Sequence, residues 1–161
     1  MAGDLLTIAE LSGVFVGFAA LIGFASERTS IEKSILRTVV LGGIGVMLAA
    51  ILPWVLLSFA VREPTVWRVA SAIYLTCYIL FHCWWFFGPR DKQVVLGLQE
   101  DMTANRPFHL MVGVGLDLLI LLSILIPVVG VLGQYWQGLY SLAVVLALLQ
   151  TVLNLPRLLP K

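Results

Sequence analysis

Four side chains in an otherwise apolar sequence have the chemistry to handle a proton or a cation: Asp117, His82, Gln150 and Glu10. Asp117 is the single charge within Leu110 to Leu132, LMVGVGLDLLILLSILIPVVGVL. An ionisable group inside such a segment is expensive, and it marks either a function or a paired structural site. His82 brings the side chain whose charge switches nearest neutral pH, and Gln150 brings an amide that both donates and accepts. If these three face one another, they form an acid, a switchable base and an amide in low dielectric, able to bind a cation or relay protons. The alternative is a buried hydrogen-bond network that fixes helix docking at about 1 kcal/mol per bond. Glu10 reads either as an entry-side cation or proton site, or as a carboxylate satisfied by a hydroxyl or by Arg62 or Arg68.

The elements that must position these groups follow from composition. Of 161 residues, 60% are hydrophobic and 12% charged, with a mean hydropathy of +1.01; soluble domains carry about 25% charged residues. The chain therefore reads as an all-α, polytopic integral membrane protein in a single domain, with the lipid bilayer as its first partner. A net charge of +1 gives no electrostatic argument for nucleic acid. A hydrocarbon core roughly 30 Å thick takes about 20 apolar helical residues to cross. Five segments qualify: 5–25, 38–61, 69–87, 110–132 and the shorter 139–155, which Pro156 ends. Basic residues collect on the cytoplasmic side. Alternate loops and the C-terminal tail hold Arg28, Lys33, Arg37, Arg90, Lys92, Arg106, Arg157 and Lys161, eight against Arg62 and Arg68 on the other side. Five transmembrane helices with the N-terminus outside and the C-terminus cytoplasmic are expected.

Counting rise along each span places the polar groups by depth. Asp117 falls about 12 Å, His82 about 9 Å and Gln150 about 8 Å from the inner surface, and Glu10 about 8 Å from the outer one. Matching depth does not fix matching direction. Ser71, Tyr74, Tyr78 and His82 form a polar stripe on the third span that extends the inner cluster outward, and Ala143, Ala147, Gln150 and Asn154 form one on the fifth. Ala9, Gly13 and Gly17 recur every four residues in the first span, and Gly45 and Ala49 do so in the second. Both read as helix-packing faces.

Further features place the ends and loops. Thr29 and Glu32 match a capping box that starts the second helix near Ser30. Val94, Val95, Leu98 and Met102 fall at helical spacing and predict a cytoplasmic interfacial helix over about 92–103. Trp67, Trp84, Trp85, Tyr135 and Trp136 sit where interfacial anchors belong. Cys77 and Cys83 make no CxxC motif and read as buried packing residues, so no metal or cofactor is expected.

The sequence holds no P-loop, GxGxxG, HExxH or GxSxG pattern, and an enzyme is not expected. Ile8 to Ile22, IAELSGVFVGFAALI, resembles the first span of small uncharacterised bacterial multi-span inner-membrane proteins. That resemblance implies a bacterial inner-membrane setting and transfers no site. The leading expectation is a homo-oligomeric, channel-like protein conducting protons or cations, with Asp117, His82, Glu10 and Gln150 as its candidate pathway. The alternative is a non-catalytic accessory or assembly subunit of a larger membrane complex, docking through the Gly13/Gly17 face and the 92–103 helix.

Overall fold

The computed structural model describes residues 2–24, 30–63, 65–87 and 107–154, and these form helices joined by turns. The long helices are α1 (Ala2–Phe24), α2 (Ser30–Ser58), α3 (Thr65–Phe87), α4 (Pro107–Val129) and α5 (Trp136–Leu153), with one 3-10 turn at Gly133–Tyr135. All five are long and apolar enough to cross a membrane. Their outward positions are largely Leu, Val, Ile and Phe, including Val14, Leu21, Leu80, Met111 and Leu119. Apolar surface this extensive suits lipid and would drive association in water. The 92–103 segment and the Thr29–Glu32 pair lie outside the residues whose side chains are described, although α2 does begin at Ser30.

Point contacts fix the direction of every helix. Gly13 approaches Met47, and Gly23 approaches Leu36. Arg37 stacks on Trp84, and Arg68 reaches Val128. Tyr140 meets Ala49, while Thr151 packs against Gly42. Helices α1, α3 and α5 therefore run one way, and α2 and α4 the other. One end of the bundle carries Arg37, and the opposite end carries Arg68.

The shortest of the five helices is the hub. α5 touches each of the other four, most extensively α4 and α2. Its buried stripe is Trp136, Tyr140, Ala143, Val144, Ala147 and Thr151. The alanines leave room for neighbouring backbones, as their spacing predicts, and the aromatics fill the Arg68 end. Trp67 and Trp136 are thus core residues rather than lipid-facing anchors, at 6% and 8% exposure. Their rings have apolar area to bury, and Trp136 Nε1 donates to the Val131 carbonyl at 2.7 Å, which removes its need for an interface. Cys77 and Cys83 correct the sequence reading in the opposite direction, since both are exposed on α3. A thiol is a weak donor and behaves as a small hydrophobe, so facing an apolar surround costs it little.

The packing face of α1 also differs from the one its glycines suggest. The buried positions are Leu5, Ala9, Ser12 and Ala19, with Val16 half-buried beside them. A Cβ at Gly17 or at Gly45 would meet nothing within 4 Å. The tight approach is at Gly43 of α2, where a Cβ would stand 2.5 Å from Val16 Cγ2 and 3.9 Å from the Ser12 carbonyl. Ala49 does pack, at 4% exposure.

Pro53 lies inside α2 and is fully buried. Proline has no N–H, so the carbonyl four residues back loses its helical partner. That carbonyl belongs to Ala49, and the Tyr140 hydroxyl of α5 donates to it at 2.6 Å. A sequence-local defect in one helix thereby becomes a tie to another. Removing the hydroxyl in Tyr140→Phe is expected to destabilise the solubilised protein by about 1–2 kcal/mol. In a Pro53→Ala background the restored N–H takes the carbonyl back, and the same substitution should cost less. Thermal unfolding of the four proteins measures that coupling, and additive losses would show that Tyr140 acts elsewhere.

Candidate functional site

Three of the four groups singled out in the sequence meet. Asp117 lies midway along α4, between the buried Leu116 and Ile120, and its carboxylate faces α3 and α5. From α5, Gln150 Nε2 donates to Asp117 Oδ1 at 2.7 Å. From α3, the Tyr78 hydroxyl donates to the same oxygen in a short bond. His82 Nε2 stands 3.4 Å from it, within ion-pair range but longer than a good N–H···O bond. Tyr78 and His82 sit one turn apart, and their rings stack with centroids 4.2 Å apart. Tyr78 is the partner that sequence reasoning left out of the site, although the α3 stripe contains it.

The other ring nitrogen settles what His82 can do. Nδ1 lies 2.9 Å from the Tyr78 carbonyl. A carbonyl only accepts, so Nδ1 carries a hydrogen and points it there. Nε2 is then the nitrogen that gains or loses a proton, and it is the one turned toward Asp117. A single proton shared by Nε2 and the carboxylate leaves the pair with no net charge wherever it resides. That property suits a low-dielectric site, where an uncompensated charge is costly. The two side chains keep 28% and 31% of their surface open.

The surrounding structure holds this arrangement in place. Asn154 Nδ2 donates to the Gln150 carbonyl at 3.0 Å and secures the last turn of α5. The Thr151 hydroxyl donates to the Ala147 carbonyl at 2.9 Å while its side chain fills the space that Gly42 leaves open. Toward the Arg68 end, a run of rings closes the interior. Tyr78 meets Tyr74 edge-on at 6.2 Å, Tyr74 meets Tyr140 at 6.1 Å, and Tyr140 meets Trp67 at 6.0 Å. Ile120 and Ile124 of α4 pack into the same core, and both are fully buried.

Glu10 does not join the group. It is exposed on α1, a helix that packs chiefly against α2, and its carboxylate points outward rather than into a helix interface. The outward turn follows from the buried stripe through Ala9, Ser12 and Val16, which leaves Glu10 and Gly17 together on the opposite side. Arg68 is likewise committed elsewhere: it approaches the Val128 carbonyl at 3.5 Å and lies 5.5 Å over the Trp136 ring. There it complements the negative end of α4.

Among the described residues, no group of three or more His, Cys, Asp and Glu side chains is placed to hold a metal ion. Comparison with protein-family models, with curated proteins and with solved structures gives no match to this chain. The functional reading therefore stands on side-chain geometry.

Proposed function

We propose that this chain is a multi-pass membrane protein that moves protons, with Asp117 and His82 as the exchanging pair. The observation that carries this reading is the donor count at Asp117 Oδ1. A tyrosine hydroxyl, an amide N–H and an imidazole nitrogen all converge on one acceptor. A metal-cation site needs the reverse, several oxygen acceptors turned toward one point. Of the two cargoes the sequence allows, the proton fits this arrangement. With the N-terminus outside, as the eight-to-two distribution of basic residues implies, the site opens toward the cytoplasmic half. The bacterial inner membrane is the setting that the first-span resemblance suggests.

The test is proton flux into liposomes that hold the purified protein and an enclosed pH indicator, under an imposed voltage of either sign. Asp117→Asn keeps an acceptor oxygen for Tyr78 and Gln150 but cannot take up a proton. Flux in this variant is expected to fall by about tenfold or more, with folded protein recovered in wild-type yield and potassium and sodium flux at background in both. Absence of flux from folded wild-type protein would overturn the reading.

A second reading has its own observation behind it. Glu10 and Gly17 share one outward face of α1, where, among the described residues, none comes within 4 Å of a Cβ placed at Gly17. Such a face fits a helix of another membrane subunit, which would make the chain an accessory component. Under that reading Gly17→Leu leaves the isolated chain folded and breaks co-purification with a second protein.

A further inference from the structure

We infer that the proton route beyond Asp117 runs along one face of α3, through the hydroxyls of Tyr78 and Tyr74 to a water held by Ser71. The inference rests on the proton-moving reading and specifies its path toward the Arg68 end.

Ser71, Tyr74, Tyr78 and His82 recur at intervals of three, four and four residues, so they line a single face of the helix. From His82 to Ser71 that face extends about 16 Å along the axis, roughly half the thickness of a bilayer core. Tyr78 is in ring contact with both His82 and Tyr74. Long side chains on a helix lean toward its N-terminus, so each phenol covers the turn before its own. The hydroxyls therefore step from Asp117 toward Thr65. Tyr140 is not on this line, because its hydroxyl is committed to the Ala49 carbonyl.

Ser71 supplies the independent observation. Its side chain is fully buried, and its Oγ has no hydrogen-bond partner. Other helical hydroxyls in the chain bond back to their own backbone: Ser12 to Ile8, Thr38 to Ser34, Thr76 to Ala72 and Thr151 to Ala147. Buried polar atoms are nearly always partnered, and ordered water is the usual partner when protein atoms are not.

The transfer is a chain of proton hops. Asp117, once protonated through His82 Nε2, gives its proton to the Tyr78 oxygen as Tyr78 releases its own toward Tyr74. Tyr74 repeats the exchange toward the water at Ser71, and the hydroxyls then rotate back. Each oxygen gains one proton and loses one, and nothing is oxidised or reduced.

Two substitutions in the full chain test this route. Ser71→Ala deletes the unpartnered hydroxyl, and Tyr74→Phe deletes a hydroxyl while keeping the ring packed against Tyr140. Both are expected to lower proton flux by about tenfold. Ser71→Ala should leave thermal stability unchanged or raised, since it removes a buried polar atom that makes no protein hydrogen bond. The infrared carboxyl band of Asp117 should still respond to solvent deuterium in both variants, because the Asp117–His82 pair is intact. Wild-type flux in both folded variants, with Asp117→Asn still blocked, would overturn this route and leave the proton reading standing. Loss of stability in parallel with flux in Ser71→Ala would make Ser71 a packing residue and overturn the route as well. Absence of flux in the wild type would remove both.

Discussion

Gly43→Leu is expected to eliminate folded protein, whereas Gly17→Leu is expected to be recovered at wild-type yield with an unchanged unfolding temperature. The contrast follows from what each new side chain would meet. At Gly43 even a Cβ collides with Val16, a β-branched side chain with little rotamer freedom, and the Ser12 backbone lies just behind it. Thr151 of α5 closes the third side at 3.9 Å. Leucine adds three more carbons at a junction of three helices, so α1 must separate from α2 or α2 from α5. Overpacking of this kind costs at least about 1–3 kcal/mol where the surroundings can shift, and here one backbone and two β-branched side chains resist. At Gly17 the space is open. Yield and thermal unfolding of the solubilised variants provide the comparison, and equal loss in both would mean that the outward face of α1 is also needed for folding. A smaller assembly in Gly17→Leu, with each chain still folded, would place a neighbouring chain on that face.

Asp117→Ala is expected to destabilise the protein by about 2–4 kcal/mol, against about 1 kcal/mol or less for Asp117→Asn. Alanine removes the acceptor shared by Tyr78 and Gln150, stranding a donor on each of two other helices, and takes away the carboxylate that faces His82. Hydrogen bonds between membrane helices average well under 2 kcal/mol each, since the loosened state also finds partners, and the range given reflects that. Asparagine keeps an oxygen in place for Tyr78 and Gln150, so its cost is confined to the approach of His82. Unfolding of wild type, Asp117→Asn and Asp117→Ala under one set of conditions gives the comparison. Equal losses in the two variants would show that the charge itself, rather than the acceptor, holds α3, α4 and α5 together. Paired with the flux measurement, this tests the proton-moving reading separately from the structural one: under that reading Asp117→Asn lowers flux by about tenfold or more while leaving most of the stability.

The inner cluster was legible in the sequence because helical rise is constant. Counting residues put Asp117, His82 and Gln150 at similar depth, but depth left their directions open, and only the packing of α3, α4 and α5 shows that they meet. Helix positions were legible for the same reason, each boundary shifting by a few residues, and the early start of α2 near Ser30 was legible from the capping pattern ahead of its apolar stretch. The orientation of α1 was not legible. It is nearly as apolar on one side as on the other, so periodicity gives no preferred face; of the small residues, Ala9 and Gly13 lie toward packed neighbours while Gly17 turns outward. Glu10 is exposed on the side of Gly17. The Gly43 contact was hidden because its tightness depends on Val16 of another helix. The Ala49–Tyr140 bond needed pairing information too: Pro53 announces a free carbonyl, but nothing local names the residue that takes it. Trp67 and Trp136 misled because a tryptophan near the end of a span serves a lipid interface or a protein core equally well.

The central position of α5 also bears on how the molecule is made. The last of the five helices to leave the ribosome is the one that touches all the others. Until it arrives, the Ala49 carbonyl has no Tyr140, Asp117 has no Gln150, and Gly42 faces an empty groove. Without α5, helices α1 to α4 form a partial bundle in which these polar groups lack their α5 partners. A chain stopped short of Trp136 would lack the α5 donors to both the Asp117 carboxylate and the Ala49 carbonyl, a difference by which a quality-control protease could tell it from one that carries α5.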